Sequence, residues 1–223
     1  MKGRCGAPYL CTMTRHSDPF TVDITPELIV RAYRAGIFPM AEDAGDEDLF
    51  WVSPELRGII PLDGFHVSRS LHKAMRRSPW TIRVDHDWAG TIEGCATVGS
   101  DRKSTWINAT IRAVYGELFA RGIAHTVEVW DGGEMVGGLY GLAIGSAFFG
   151  ESMFHRRTDA SKMAMAHLVE RLKAGGFVLL DTQFLTDHLA SLGGIEIPRA
   201  EYEEMLGLAI AGTADWHAWE HRS

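Results

Sequence analysis

Gly150-Glu151-Ser152-Met153-Phe154 and Phe177-Val178-Leu179-Leu180-Asp181-Thr182-Gln183 decide the fold, because each sets acid or amide groups against an apolar run. Between them, Thr158 or Asp159 can cap a helix whose Met163, Leu168 and Leu172 recur near helical spacing before Gly175 and Gly176 stop it. Phe177 to Leu180 is continuously apolar and follows those glycines, the pattern of a short strand covered on both faces. The unit reads as β-α-β with parallel strands. A right-handed crossover of this length lays the two strands side by side in one sheet, so that their carboxyl ends face one crevice. Asp181 and Gln183, two apart, point to the same face. A carboxylate at the end of an apolar strand needs water or a partner, since burying it unpaired costs on the order of several kcal/mol. Alone, this would describe a strand that simply surfaces. A second acid, Glu151, arriving from the neighbouring strand makes the pair a candidate reaction centre.

Outward from this unit, further elements are legible. Thr25 and Pro26 suit a helix start, with Leu28, Ile29, Ala32 and Tyr33 as its apolar face and Gly36 at its end. Trp80, Ile82 and Val84 alternate as in a half-exposed strand, and Asp87 can cap a helix carrying Ile92 and Cys95. Asn108 can cap another, with Ile111, Val114, Tyr115, Leu118 and Phe119 on one face and Gly122 at its end. Strands around Thr126–Trp130 and Glu134–Leu139 are joined through Asp131-Gly132-Gly133, a hairpin signal. Gly137, Gly138 and Gly141 suggest bulges or a close backbone approach to a ligand.

Composition sets the class. The 223 residues are 46% hydrophobic, enough for one large core or two small ones. No apolar run reaches the ~20 residues that span a bilayer, and Pro8 interrupts the brief apolar stretch near the amino terminus, so neither a membrane anchor nor a signal peptide is expected. A cytoplasmic protein follows, its Cys5, Cys11 and Cys95 kept as thiols at spacings that match no zinc pattern. The ten histidines include His86, His217 and His221, but no metal-ligand motif. A net charge of −7 argues against indiscriminate coating of nucleic acid and leaves room for a local basic site. The polar stretch Gly99 to Ser104 reads as a link between two units.

Gly150–Phe154, Asp181–Gln183 and Asp187-His188-Leu189-Ala190-Ser191-Leu192-Gly193 together resemble the signature of leucyl/phenylalanyl-tRNA–protein transferases. So do Arg34–Pro39, Trp51–Pro54, His66–Ser70, Ile92–Ala96, Thr105–Ile107, Glu128–Trp130 and Val136–Gly141, in the family's order over roughly residues 25 to 200. The resemblance implies transfer of leucine or phenylalanine, with methionine a further candidate, from aminoacyl-tRNA to the amino terminus of proteins beginning with Arg or Lys, which creates a degradation signal. It implies an α/β (α+β) fold: a flexible segment 1–24, a small α/β domain 25–100, and a catalytic domain 101–223 like the N-acetyltransferase superfamily. It implies no cofactor, and partners limited to Leu-tRNA or Phe-tRNA and the acceptor protein, with the chain working as a monomer.

The resemblance also distributes roles. Asp181 orients Gln183, whose side-chain carbonyl accepts a hydrogen bond from the attacking α-amine, while Glu151 positions the amine or the ester-bearing ribose. Met40, Leu139, Phe148 and Met153 form the aminoacyl pocket, and Trp106 stacks on the terminal adenine. Stacking of that kind is worth ~1–3 kcal/mol and tolerates any sequence. Met40 stands where many members carry Trp, a flexible thioether that fills space less rigidly and leaves the Leu, Phe and Met preference open. Arg69, Lys73, Arg76 and Arg77 fall along one side of a helix. Such a face is commonly just solvated; with the resemblance it becomes the candidate contact for acceptor-stem phosphates. Glu42, Asp43, Asp46, Glu47 and Asp48, a solvated loop by default, are a candidate attractor for the cationic acceptor. Two rival classes remain: an acetyl-CoA-dependent small-molecule N-acetyltransferase and a silent binder of tRNA ends. The first lacks its glycine-bearing pyrophosphate loop at His155–Ala160, and the second leaves Glu151, Asp181 and Gln183 unexplained.

Overall fold

Thr25 accepts a hydrogen bond from the Leu28 amide at 3.2 Å and so caps α1 (Pro26–Arg34), whose first position holds the proline that needs no amide partner. The computed structural model describes residues 23–42, 44–45, 49–97 and 105–220. Gly36, at φ +76°, turns the chain out of α1 into β1 (Phe38–Met40), which pairs antiparallel with β2 (Phe50–Val52) as a separate two-stranded ribbon. β3 (Leu56–Ile59) follows, then α2 (Arg69–Arg77) capped by Ser68, β4 (Thr81–Val84), α3 (Trp88–Ala96) capped by Asp87, and α4 (Ala109–Ala120) capped by Asn108. β5 (Ala124–Asp131) and β6 (Glu134–Ile144) form the expected hairpin, with Asp131 opposite Glu134. β7 (Ala147–His155), α5 (Ala160–Gly175) and β8 (Leu179–Gln183) are the β-α-β unit. α6 (Asp187–Ala190), β9 (Ile195–Pro198) and α7 (Arg199–Ala211) complete the described elements.

Seven strands make one mixed sheet in the order β4-β5-β6-β7-β8-β3-β9. Among the described residues its one parallel pair is β7 with β8, as the crossover argument required, and the other pairs are antiparallel. β8 begins at Leu179, so Phe177 and Val178 belong to the turn and Val178 is exposed. Apolar side chains cover both faces. Ile29, Tyr33, Ile92, Ile111, Tyr115, Tyr202 and Leu206 of α1, α3, α4 and α7 fill one side. Leu71 of α2 with Met163, Leu168 and Leu172 of α5 fill the other. At roughly 25 cal/mol per Å² of apolar surface removed from water, this two-sided burial is the main stabilising term. β3 and β4, from the segment expected to be a separate small domain, are strands of this same sheet, so the sheet runs across the expected boundary at residue 100.

One irregularity matters for the site. Tyr140 lies opposite Ser152 and Gly141 opposite Gly150, so Glu151 is an extra residue on β7 with no counterpart on β6. The β6 glycines meet the protein itself, not space for a ligand: a side chain at Gly141 would collide with Phe148 and Phe149, and one at Gly137 would stand 2.6 Å from Ala160 Cβ.

Candidate active site

The ladder between β7 and β8 ends at Phe149 opposite Asp181, yet both strands continue, so the sheet opens between them. A cavity of about 460 Å³ occupies the opening, within the size range of small-molecule sites. Gly150 to Met153 line one wall and Thr182 to Phe184 the other.

Glu151, projected from the bulge, stands on this cavity within reach of three polar side chains. Tyr33 donates to Oε1 at 2.7 Å and Gln183 Nε2 to Oε1 at 3.2 Å, while the Tyr115 hydroxyl lies 3.3 Å from Oε2. The two phenol oxygens lie 2.6 Å apart. Burial pushes the Glu151 carboxyl up to about 8, against the opposing pull of the Tyr33 hydroxyl. Burial, reinforced by the neighbouring Glu151 charge, also raises both tyrosines well above their ordinary range, so they stay neutral donors. Sequence reading placed Tyr33 and Tyr115 only on apolar helix faces. Their rings do pack there, and nothing in the spacing revealed that the hydroxyls converge on one carboxylate.

Gln183 is held in the left-handed region at φ +59°, uncommon for a residue with a side chain. Its backbone amide donates to Asp181 Oδ1 at 2.8 Å, and its Nε2 donates to Glu151, which turns the carbonyl end of the amide the other way. Asp181 is fully buried and does not line the cavity. Its carboxylate faces Arg57 of β3, which donates from Nε to Oδ1 at 2.9 Å and from Nη2 to Oδ2 at 2.7 Å, and Tyr202 donates to Oδ2 at 2.7 Å. Thus the three expected polar residues are brought together, but Asp181 stands behind Gln183 rather than beside it.

Met40, Leu139 and Met153, which the resemblance assigned to an aminoacyl pocket, line this cavity together with Phe38, Met165, Leu168 and Leu189. Phe148 does not: it is fully buried, its ring stacked 5.3 Å from Trp216 in the core beyond the cavity wall. The resemblance assigned Phe148 to the pocket, but the structure sets it behind the wall that Met153 lines. Trp106 is partly exposed at the cavity. His188 also lines it, and its buried Nε2 has no partner among the described residues. Arg69, Lys73, Arg76 and Arg77 are exposed on α2, which packs through Leu71, and none forms a salt bridge among the described residues. Of the acidic run, Glu42 is exposed; Asp43, Asp46, Glu47 and Asp48 lie outside the described residues. Among the described residues no cluster of His, Cys, Asp or Glu is placed to hold a metal, and no helix is long and apolar enough to cross a membrane.

Comparison with known proteins meets this geometry. A family model described as leucyl/phenylalanyl-tRNA protein transferase matches residues 59–207, and one for the N-terminal domain of that family matches residues 22–55. The chain is 59% identical over 193 residues to the leucyl/phenylalanyl-tRNA–protein transferase of Cereibacter sphaeroides, covering 86% of this chain and 88% of that one. Among solved structures, L-PGS from Bacillus licheniformis is similar at 14% identity and a TM-score of 0.38, over 74% of this chain and 55% of that one. At that score the two folds are not shown to be alike.

Proposed function

This chain belongs to the leucyl/phenylalanyl-tRNA–protein transferase family, and from that premise we propose that it moves leucine or phenylalanine from aminoacyl-tRNA onto the α-amine of proteins beginning with Arg or Lys. The observation that carries the reading is the cavity in the opened sheet, apolar along Leu139, Met153 and Leu168 and polar at Glu151 and Gln183. The apolar part suits a leucyl or phenylalanyl side chain, which loses water there. The polar end suits an amine approaching an ester.

An aminoacyl ester is already activated, so the protein has to hold the ester carbon against a neutral amine and manage one proton. Gln183 Oε1 accepts one amine hydrogen and points the nitrogen lone pair at the carbonyl carbon. The C–N bond forms, the bond from that carbon to the ribose oxygen breaks, and the proton lost by the amine ends on the ribose oxygen. Glu151, held near 8, takes up and releases a proton easily around neutral pH, which suits it to carry that proton with the neighbouring ribose hydroxyl or a water. Asp181 acts through Gln183. Trp106 stacks on the terminal adenine, and the basic face of α2 engages acceptor-stem phosphates.

The finer parts of the proposal are a C-terminal unit like the N-acetyltransferase superfamily and a cytoplasmic setting. The parallel β7–β8 pair inside an otherwise antiparallel sheet supports the first. The test of the function is transfer of labelled leucine from Leu-tRNA to a peptide beginning with Arg. Label in the peptide that disappears when ribonuclease is added first supports the reading; label that persists after ribonuclease, or none at all, overturns it.

A further inference from the structure

Arg57 has no role in the transfer as described so far, yet its guanidinium makes three hydrogen bonds and two ring contacts behind the cavity. It is 1% exposed. Besides its two bonds to Asp181, Nη1 donates to the Gly36 carbonyl at 2.9 Å. Its plane lies between two aromatic rings, 4.6 Å from the centre of Phe38 and 4.4 Å from that of Tyr202. Burial lowers its pKa, but the Asp181 charge and hydrogen bonds, with smaller help from Tyr202 and Tyr33, together outweigh it and the pKa rises, so the group stays a cation. Gly36 and Phe38 begin the segment that ends in Met40 on one cavity wall, and Asp181 fixes the backbone amide of Gln183 on the other. At Gly58, the next residue, a side chain would stand 2.6 Å from the Phe184 carbonyl carbon, so β3 also presses against the turn that follows Gln183.

We propose that Arg57 is a positioning residue for aminoacyl transfer: one buried guanidinium sets the Gln183 amide and the Phe38–Met40 wall in a single register. The inference rests on the reading of the cavity as the transfer site. An arginine is required chemically. Its planar fork matches both carboxylate oxygens while a third nitrogen reaches Gly36, and only a flat cation fits between two rings; a lysine ammonium can satisfy neither demand. A displacement of Gln183 by about 1 Å is enough to cost ~10²-fold in rate.

Three variants test it, each with kcat and KM for transfer, Kd for Leu-tRNA, and a thermal melt. Tyr202→Phe removes one hydroxyl, keeps the ring over the guanidinium, and is expected to fold. Its kcat is expected to fall about tenfold with the Kd for Leu-tRNA within about twofold of wild type. Arg57→Lys is expected to lose about 10²-fold in kcat with the same unchanged Kd. The neutral double variant Arg57→Met/Asp181→Asn removes both charges at once, so neither is stranded in the core, and is expected to fold yet remain slow. Wild-type kcat in Tyr202→Phe, or in either other variant that folds, overturns the assignment, as does a loss confined to KM. Should the two Arg57 variants fail to fold, Tyr202→Phe decides alone. A wild-type protein that transfers nothing would instead overturn the functional reading, so the two failures are distinguishable.

Discussion

The Gln183 side-chain amide donates to Glu151 across 3.2 Å, although the two residues sit on strands whose pairing has already ended. In the proposed transfer this bond leaves the carbonyl end of the amide for the substrate. Without this bond the amide could turn over, and nitrogen would face the amine where an acceptor is needed. Gln183→Ala is predicted to lower the single-turnover rate of transfer about 10²-fold while the Kd for Leu-tRNA stays unchanged. Near-native turnover in that variant would leave Gln183 with no chemical role.

Glu151 has two separable pH signatures. With its folded pKa near 8 and an ordinary value of 4.5, the folded protein keeps a proton that the unfolded chain releases as pH rises past 4.5. Its contribution to stability is therefore present in acid and lost between those two values. Glu151→Gln, neutral throughout, is predicted to melt a few degrees above wild type at about pH 8.5, with the gap closing toward pH 4.5.

In activity the same group adds to the titration of the acceptor amine, whose own pKa is about 8. Below neutrality, log kcat/KM for the peptide should fall with a limiting slope near 2 in wild type and near 1 in Glu151→Gln. Equal slopes would mean that Glu151 exchanges no proton during transfer.

Cavity and core residues should part company on mutation. Met153→Ala is predicted to enlarge the pocket and raise phenylalanine over leucine by about tenfold in kcat/KM. Phe148→Ala, which empties core behind the wall, should cost roughly 3–5 kcal/mol of stability and leave the leucine-to-phenylalanine ratio alone. Met40→Trp should stiffen the wall and lower methionine transfer relative to leucine. These ratios are read by competing aminoacyl-tRNAs in one reaction.

The exposed basic face of α2 yields a salt test. Each replacement of Arg69, Lys73, Arg76 or Arg77 by Ala should weaken tRNA binding and reduce the slope of log K against log salt by about 1. A slope unchanged in the fourfold variant would show that the phosphates lie elsewhere.

Local chemistry explains what the sequence disclosed. Thr25, Asp87 and Asn108 each cap a helix through their own side chains, so the starts of α1, α3 and α4 are written in neighbouring residues. Glycine punctuation and the apolar run of Phe177–Leu180 made the parallel β7–β8 pair readable. Contacts between distant segments were not. Arg57 reaches Asp181 across 124 positions and Tyr33 reaches Glu151 across 118, and no periodicity records such a meeting. β3 and β9 are no shorter than β4, but β3 carries Arg57 and Gly58 where a core strand would show apolar residues, and β9 runs from Gly194 straight into Pro198, so neither reads as a strand. Asp181 looked like a strand-end acid seeking water because its partner cation lies on a strand that gives no sign of itself.

As proposed, this cavity joins an ester-borne apolar residue to a free α-amine. Purified protein is given labelled Leu-tRNA and two otherwise identical peptides beginning with Arg, one free and one acetylated at its amino terminus. Leucine is expected on the first residue of the free peptide and none on the acetylated one. Equal labelling of both, or labelling of neither, would rule the cavity out as a site of transfer to an α-amine.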